Sequence, residues 1–172
     1  MNALNPAGAK TGKPVSLEQL RSIEEFLIAQ GELLDQHRYE EWDALFDKAA
    51  VYWVPTTPEQ QDALNTLSVY HDDAQGRDVR IRRLRHEKNL VEETPTRTLH
   101  MVQNVRASET GPGEFEVRAR FLMLEYRAGV QRLYGGTYLH KLREGDTGFT
   151  ILHQRVDLLN GDGVLPVLSV PF

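Results

Sequence analysis

Residues 115–126 read FEVRARFLMLEY. Apolar side chains at Phe115, Val117, Ala119 and Phe121 alternate with Glu116, Arg118 and Arg120, the two-residue period of a β-strand with one buried face. Segments with the same alternation lie on either side: Leu99 to Ala107, Gln131 to Arg143 and Phe149 to Leu159. Between them stand Gly111-Pro112-Gly113, Ala128-Gly129, and Glu144-Gly145-Asp146 with Gly148. Turns this short make consecutive strands antiparallel neighbours. The segments are longer than the roughly five or six residues of an ordinary strand, and long twisted strands curl into an open cone.

Upstream the period changes. Ser16-Leu17-Glu18-Gln19 has the form of a capping box, in which hydroxyl and amide side chains satisfy free N–H groups at a helix start. Leu17, Leu20, Ile23, Phe26, Leu27, Leu33 and Leu34 then recur at helical spacing, which predicts a helix from Leu17 to about Gln36 with one face on a core. Tyr39, Trp42 and Phe46 predict a second short helix over Arg38 to Phe46, and Val51 to Val54 a short strand ending at Pro55. Pro55 to about Gly76 reads as loop. Arg77 to Glu87 holds five arginines around Val79, Ile81 and Leu84 and reads as a short amphipathic helix. Helices followed by a meander give an α+β class: N-terminal helices packed on a long, curved, mainly antiparallel sheet. The expected organisation is a flexible arm over 1–15 and a single cone-shaped domain over 16–172.

Composition narrows the function. The 172 residues carry 20 Lys+Arg against 25 Asp+Glu, hence 20 − 25 = −5, and no cysteine. Thiolate nucleophiles, Cys-ligated zinc and iron–sulfur centres held by this chain are excluded, because each needs the sulfur atom. The acidic balance argues against nucleic acid and anionic membranes, whose affinity rests on clustered Lys and Arg. No stretch of about 20 apolar residues occurs, so the expectation is a cytoplasmic protein.

Six histidines are present. His100, His140 and His153 on neighbouring strands could be imagined with Asp157 as a facial metal site, but no tight ligand spacing such as HExxH supports it. On the last strand Leu152, Val156 and Leu158 are expected on one face and Ile151, His153, Arg155 and Asp157 on the other. Burying unpaired charge is costly, so that second face should meet water, a polar pocket or a partner; His140 with Arg143, and Arg118 with Arg120, extend it. A stand-alone isomerase, dehydratase or hydrolase would need an acid/base group inside the cone. Asp35 or Asp72 could serve as base and Tyr39, Tyr52 or His100 as donors, although Tyr39 and Tyr52 equally suit simple packing beside Trp42. A ligand-binding module without chemistry is a third reading. Gly135-Gly136 within a strand marks a bulge or a close backbone approach. The arginine-rich stretch is flanked by Asp72, Asp73, Asp78, Glu87, Glu92 and Glu93, which favours ion pairing within the chain or across a subunit contact.

The run from Phe26 through Leu34-Asp35, Tyr39 and Trp42 is similar to a motif of one known family, followed by Leu45-Phe46, Tyr52-Trp53-Val54-Pro55, Asp72-Asp73, Arg80 and Arg83-Leu84. Thr94-Pro95-Thr96-Arg97-Thr98-Leu99-His100 with Asn104-Val105 continues the likeness. Over roughly residues 20 to 172 the chain resembles the small (β) subunit of bacterial aromatic-ring-hydroxylating (Rieske non-heme iron) dioxygenases. The resemblance implies an NTF2-like (cystatin-like) cone and an α3β3 hexamer with its own copies around a three-fold axis. It implies a large (α) subunit carrying the Rieske [2Fe–2S] cluster and mononuclear non-heme iron, served by a reductase and ferredoxin, and a β subunit that is structural, with no cofactor of its own. Gly136 to Leu142 leans toward the branch acting on benzoate-like acids. Asp72, Asp73, Arg80, Arg83, Arg97, His100, Arg155 and Asp157 are the expected subunit-interface or structural ion-pair residues. Arg83 and Arg155 are expected to matter more for assembly than for the isolated fold.

Overall fold

A computed structural model describes residues 12–85, 96–165 and 170–172. Most of the predicted arm (1–11), and His86, Glu87, Glu92, Glu93, Thr94 and Pro95, therefore lie outside the described residues. The elements run β1 (Lys13–Pro14), α1 (Leu17–Asp35), α2 (Tyr39–Asp43), β2 (Phe46–Pro55), β3 (Ser68–Asp72), α3 (Ala74–Arg85), β4 (Arg97–Gly111), β5 (Glu114–Arg127), β6 (Val130–Gly145) and β7 (Gly148–Leu158). They form a sheet of order β1-β4-β5-β6-β7-β2-β3. Neighbours are antiparallel except β2 and β7, which run parallel.

The capping box forms as read. Ser16 Oγ accepts from the Gln19 amide at 3.1 Å, and Gln19 Oε1 accepts from the Ser16 amide at 3.2 Å. Ile23, Leu27 and Leu34 are buried, whereas Leu17, expected on the apolar stripe, is 85% exposed. The second helix is shorter than expected and Phe46 opens β2, which has ten residues. Strand β3, expected as loop, pairs at the sheet edge with β2, where Val69 and Tyr70 are only half-buried and leave little alternation to read.

Helix α3 also departs from its reading. Arg77 takes a core position, donating to Asp43 Oδ1 at 2.5 Å and to the Ala50 carbonyl at 2.8 Å, with its guanidinium 4.4 Å from the Phe46 ring centroid. Val79, expected as an anchor, is exposed, while Ile81 is buried. A planar cation with its donors satisfied and an aromatic face beneath it can be buried where a lone charge could not.

On β7 the expected faces are exchanged at one end. The β6–β7 register shifts between Lys141 and Leu142, pairing Leu142 with Ile151 and Lys141 with His153. Leu152 is the extra residue of this bulge, so Ile151 is buried with Gln154, Val156 and Leu158. His140 likewise faces the core and not the charged face expected for it. At Gly136 an added Cβ would collide with the Asp157 carbonyl, which is the close approach the glycine pair signalled.

The core lies between the helices and one face of the sheet. Trp42 meets Phe46 and Tyr52 edge-on at 4.9 and 5.5 Å, Phe121 stacks on Tyr138 at 4.1 Å, and Phe172 is buried among them. One polar cluster interrupts it: Gln30 Nε2 donates to Gln154 Oε1 at 2.7 Å, and His140 Nε2 faces Gln30 Oε1 at 3.2 Å. Burial, with lesser repulsion from His153, pushes the His140 pKa down to about 3. The unfolded chain therefore takes up the proton first, near the ordinary histidine pKa of roughly 6.5. Stability is retained above that pH and falls as pH drops toward the folded value, by up to about 1.4 kcal/mol per pH unit. Urea unfolding of wild type and His140→Gln at pH 7, 6 and 5 should show the variant losing less stability with acidification; parallel pH profiles would contradict this assignment.

Candidate partner interface on the outer face of the sheet

Of the residues suggested for an interior active site, Asp35 and His100 come together, while Tyr39, Tyr52 and Asp72 have other partners. Asp35, the last residue of α1, meets β4: His100 Nδ1 lies 2.6 Å from Oδ1, the His100 amide donates to Oδ2 at 2.9 Å, and the Thr98 hydroxyl donates to Oδ1 at 2.8 Å. Burial alone would raise the Asp35 carboxyl, but the hydrogen bonds from His100 and Thr98 outweigh it and hold the pKa below the ordinary carboxylate range. The carboxylate accepts a hydrogen bond from Nδ1, and His100 Nε2 is buried without a partner among the described residues. Tyr39 instead stacks on His37 at 5.6 Å with the Arg85 guanidinium 5.2 Å from its ring. The Tyr52 hydroxyl is bonded to the Phe172 backbone, and burial lifts its pKa above the ordinary phenol value. Asp72, the other candidate base, is ion-paired with Arg80 at 2.6 Å.

The histidines diverge as well. His140 points into the core, His153 sits opposite Lys141 beyond the bulge, and His100 is committed to Asp35. Among the described residues no group of three or more His, Cys, Asp or Glu side chains is arranged to hold a metal ion.

Several residues expected at subunit contacts or in structural ion pairs are bonded within the chain. Arg80, paired with Asp72, lies 3.6 Å from the Tyr70 ring centroid, and Asp73 Oδ1 accepts from the Gly76 amide at 2.8 Å at the start of α3. Arg155 donates to Asp157 Oδ1 at 2.7 Å, to the Gln60 carbonyl at 2.7 Å and to the Pro58 carbonyl at 2.6 Å, above the Trp53 ring. With its side chain 11% exposed, Arg155 fastens the β2–β3 loop across the outer face of β7 and β2. Arg83 on α3 and Arg97 on β4 are exposed, Arg97 with its guanidinium 4.8 Å from the Tyr126 ring.

Beyond that loop, no element among the described residues covers the outer face of β4, β5 and β6. Register places Leu99, Leu124 and Leu133 in one row and Met101 beside Leu122 in the next. Leu99 is 51%, Met101 43% and Leu133 61% exposed. Further along, Gln103 opposes Arg120, and past a bulge at Asn104 (φ 55°) Arg106 directly opposes Arg118. Like charges directly opposite destabilise an isolated sheet. Among the described residues no carboxylate pairs with either arginine. An apolar band beside uncompensated guanidinium groups suits a protein surface with an apolar centre and carboxylates at its edge. Sequence reading noticed Arg118 and Arg120 but missed the leucines. The available signal was the run Phe121-Leu122-Met123-Leu124, which is apolar at both parities, as in a strand covered on both faces.

Comparison with known proteins gives a consistent result. Residues 29–162 match the family described as ring hydroxylating beta subunit. The chain is 31% identical over 157 residues to the benzene 1,2-dioxygenase subunit beta of Pseudomonas putida, covering 83% of each. It is 28% identical over 140 residues to the 2-halobenzoate 1,2-dioxygenase small subunit of Burkholderia cepacia, covering 78% of this chain and 85% of that one. The crystal structure of the beta subunit of benzoate 1,2-dioxygenase from Burkholderia mallei superposes with a TM-score of 0.70 at 24% identity, covering 88% and 94% of the two chains.

The Asp35 contact makes a direct stability prediction. Asp35→Asn keeps the shape but gives up the charge-assisted bond to His100 and turns an amide group toward donors, which should cost about 2 kcal/mol. Urea denaturation at pH 7 measures this, and a loss under about 0.5 kcal/mol would remove Asp35 from its structural role.

Proposed function

The chain belongs to the ring-hydroxylating β-subunit family, and from that premise we propose that it is the structural subunit of an aromatic-ring dioxygenase, presenting the outer face of β4, β5 and β6 to protein partners. β subunits of these multicomponent enzymes partner with α subunits. The assembly proposed here is an α3β3 hexamer in the cytoplasm, reduced by a ferredoxin and reductase and adding two hydroxyl groups to an aromatic ring. No helix among the described residues is long and apolar enough to cross a membrane. A Rieske cluster needs two cysteines beside two histidines, so with no cysteine in the chain it does not fit here, and both iron centres are assigned to the large subunit.

The observation that carries this reading is the uncovered outer face. Leu99, Met101, Leu122, Leu124 and Leu133 form a connected apolar band across the three strands, and the Arg106–Arg118 pair leaves cationic charge that an acidic partner would neutralise. A stand-alone isomerase, dehydratase or hydrolase would instead need open space within the cone. Trp42, Tyr52, Phe121, Tyr138 and Phe172 fill that space. For the substrate we propose a benzoate-class ring, supported by the halobenzoate and benzoate enzymes among the similar proteins; turnover of benzoate in preference to benzene by the reconstituted complex tests this.

Assembly itself is tested by charge reversal on the exposed band. In co-expression with its large subunit, Leu133→Asp combined with Arg118→Glu should weaken association at least about tenfold, roughly 1.4 kcal/mol, while the urea midpoint of the isolated chain stays within the small range typical of surface changes. Arg155→Met should do the reverse, loosening the fold because three internal acceptors lose their donor. Native mass spectrometry and urea unfolding on both variants separate the two effects. A double variant that assembles like wild type would refute the assigned surface.

A further inference from the structure

Phe172 has an unusual place. It belongs to no helix or strand, yet it is 1% exposed in the middle of the cone. The rings of Tyr134, Phe121 and Tyr70 surround it at centroid distances of 5.4, 6.3 and 6.4 Å. Its amide donates to the Tyr52 hydroxyl at 3.0 Å, and that hydroxyl faces the Phe172 carbonyl at 3.4 Å.

Parts of this chamber also have contacts that do not involve Phe172. Phe121 and Tyr134 lie on β5 and β6, whose pairing is continuous from Glu114–Arg143 to Arg127–Val130, and Tyr52 is braced by Trp42. One wall also carries two unspent polar atoms: the Tyr134 hydroxyl and Glu125 Oε2 are both buried without a partner among the described residues. Met123 pairs with Tyr134 and Glu125 with Arg132, which makes Glu125 and Tyr134 diagonal neighbours on one face of the sheet. A single hydroxyl group could accept from the first and donate to the second.

We propose that the cone interior is a binding site for a small, uncharged, monocyclic aromatic of the phenol class, occupied in cis by the Phe172 ring. The ring supplies the apolar contacts the chamber requires and leaves the Tyr134–Glu125 oxygens unserved. An external ligand competes with Phe172 for the same space, so wild type binds it poorly and a chain with a smaller residue at 172 binds it well. Engineered cavities of about 150 Å³ accept benzene-sized molecules, and here the polar atoms in the wall add a preference for a ligand with a hydroxyl group.

The test is thermal unfolding of the full chain with phenol, toluene and cyclohexane as probes. Phe172→Ala should melt below wild type, and millimolar phenol should raise its Tm by about 3 °C or more while moving wild type by less than about 1 °C. Phenol should outperform toluene, and that preference should vanish in Phe172→Ala combined with Tyr134→Phe. If Phe172→Ala does not fold unliganded, the same site must show itself as recovery of cooperative unfolding on adding phenol, and Phe172→Val is assayed beside it. Absence of a phenol response in both variants, or an equal response in wild type, overturns the proposal.

Discussion

Helix α1 lies so close to β4 that a Cβ at residue 31 would come within 2.9 Å of the His100 Cβ. Glycine permits the approach, and one turn later Asp35 completes it by taking hydrogen bonds from the His100 ring, the His100 backbone and Thr98. Helix and long strand are thereby fixed at their point of nearest contact. The remaining geometry follows from that: with α1 held down on β4, Ile23, Leu27 and Leu34 meet the sheet residues Phe115, Val117, Phe121 and Tyr138 across one continuous core. Trp42, Tyr52 and Phe172 are buried within that core.

A fold that fills its own interior has its outer surface left for function. One part of that surface is closed off by the chain itself, where Arg155 fixes the loop after β2 and Trp53 donates to Ser68 at 2.9 Å. The other part, on β4, β5 and β6, combines exposed leucines with arginines that lack carboxylate partners among the described residues. The chain is acidic overall, at −5, yet this face is basic. Such local inversion of charge serves orientation of a partner more than raw affinity, since steering and register depend on where charges sit and not on their sum.

Much of this was legible in the sequence where a residue's neighbours along the chain determine its environment. The Ser16 capping box, the alternation through Phe115–Tyr126 and the Gly136 close approach are local properties, and each is found where the pattern placed it. The errors arise where distant contacts decide. The bulge opposite Leu142 exchanges Ile151 and Leu152 between faces, and a bulge is set by the partner strand. Arg77 belongs to a stretch expected to ion-pair, but its burial depends on Asp43, Ala50 and Phe46, more than twenty residues away, which no local pattern places beside it. Of the candidate site, the charges were visible but their partners were not: Arg155 and Arg118 look alike in sequence, and only the fold shows that one is spent internally while the other is exposed without an ion pair among the described residues.

The proposed surface for the partner subunit is the exposed side of β4, β5 and β6. Covalent footprinting of side chains, read residue by residue on the free chain and on its complex with the large subunit, tests this directly. Strong labelling of Leu99, Met101 and Leu133 is expected in the free chain and marked protection in the complex, with Leu64 and Leu67 of the β2–β3 loop serving as exposed references. Unchanged labelling of the leucine and methionine band, with protection appearing elsewhere on the chain, would contradict it.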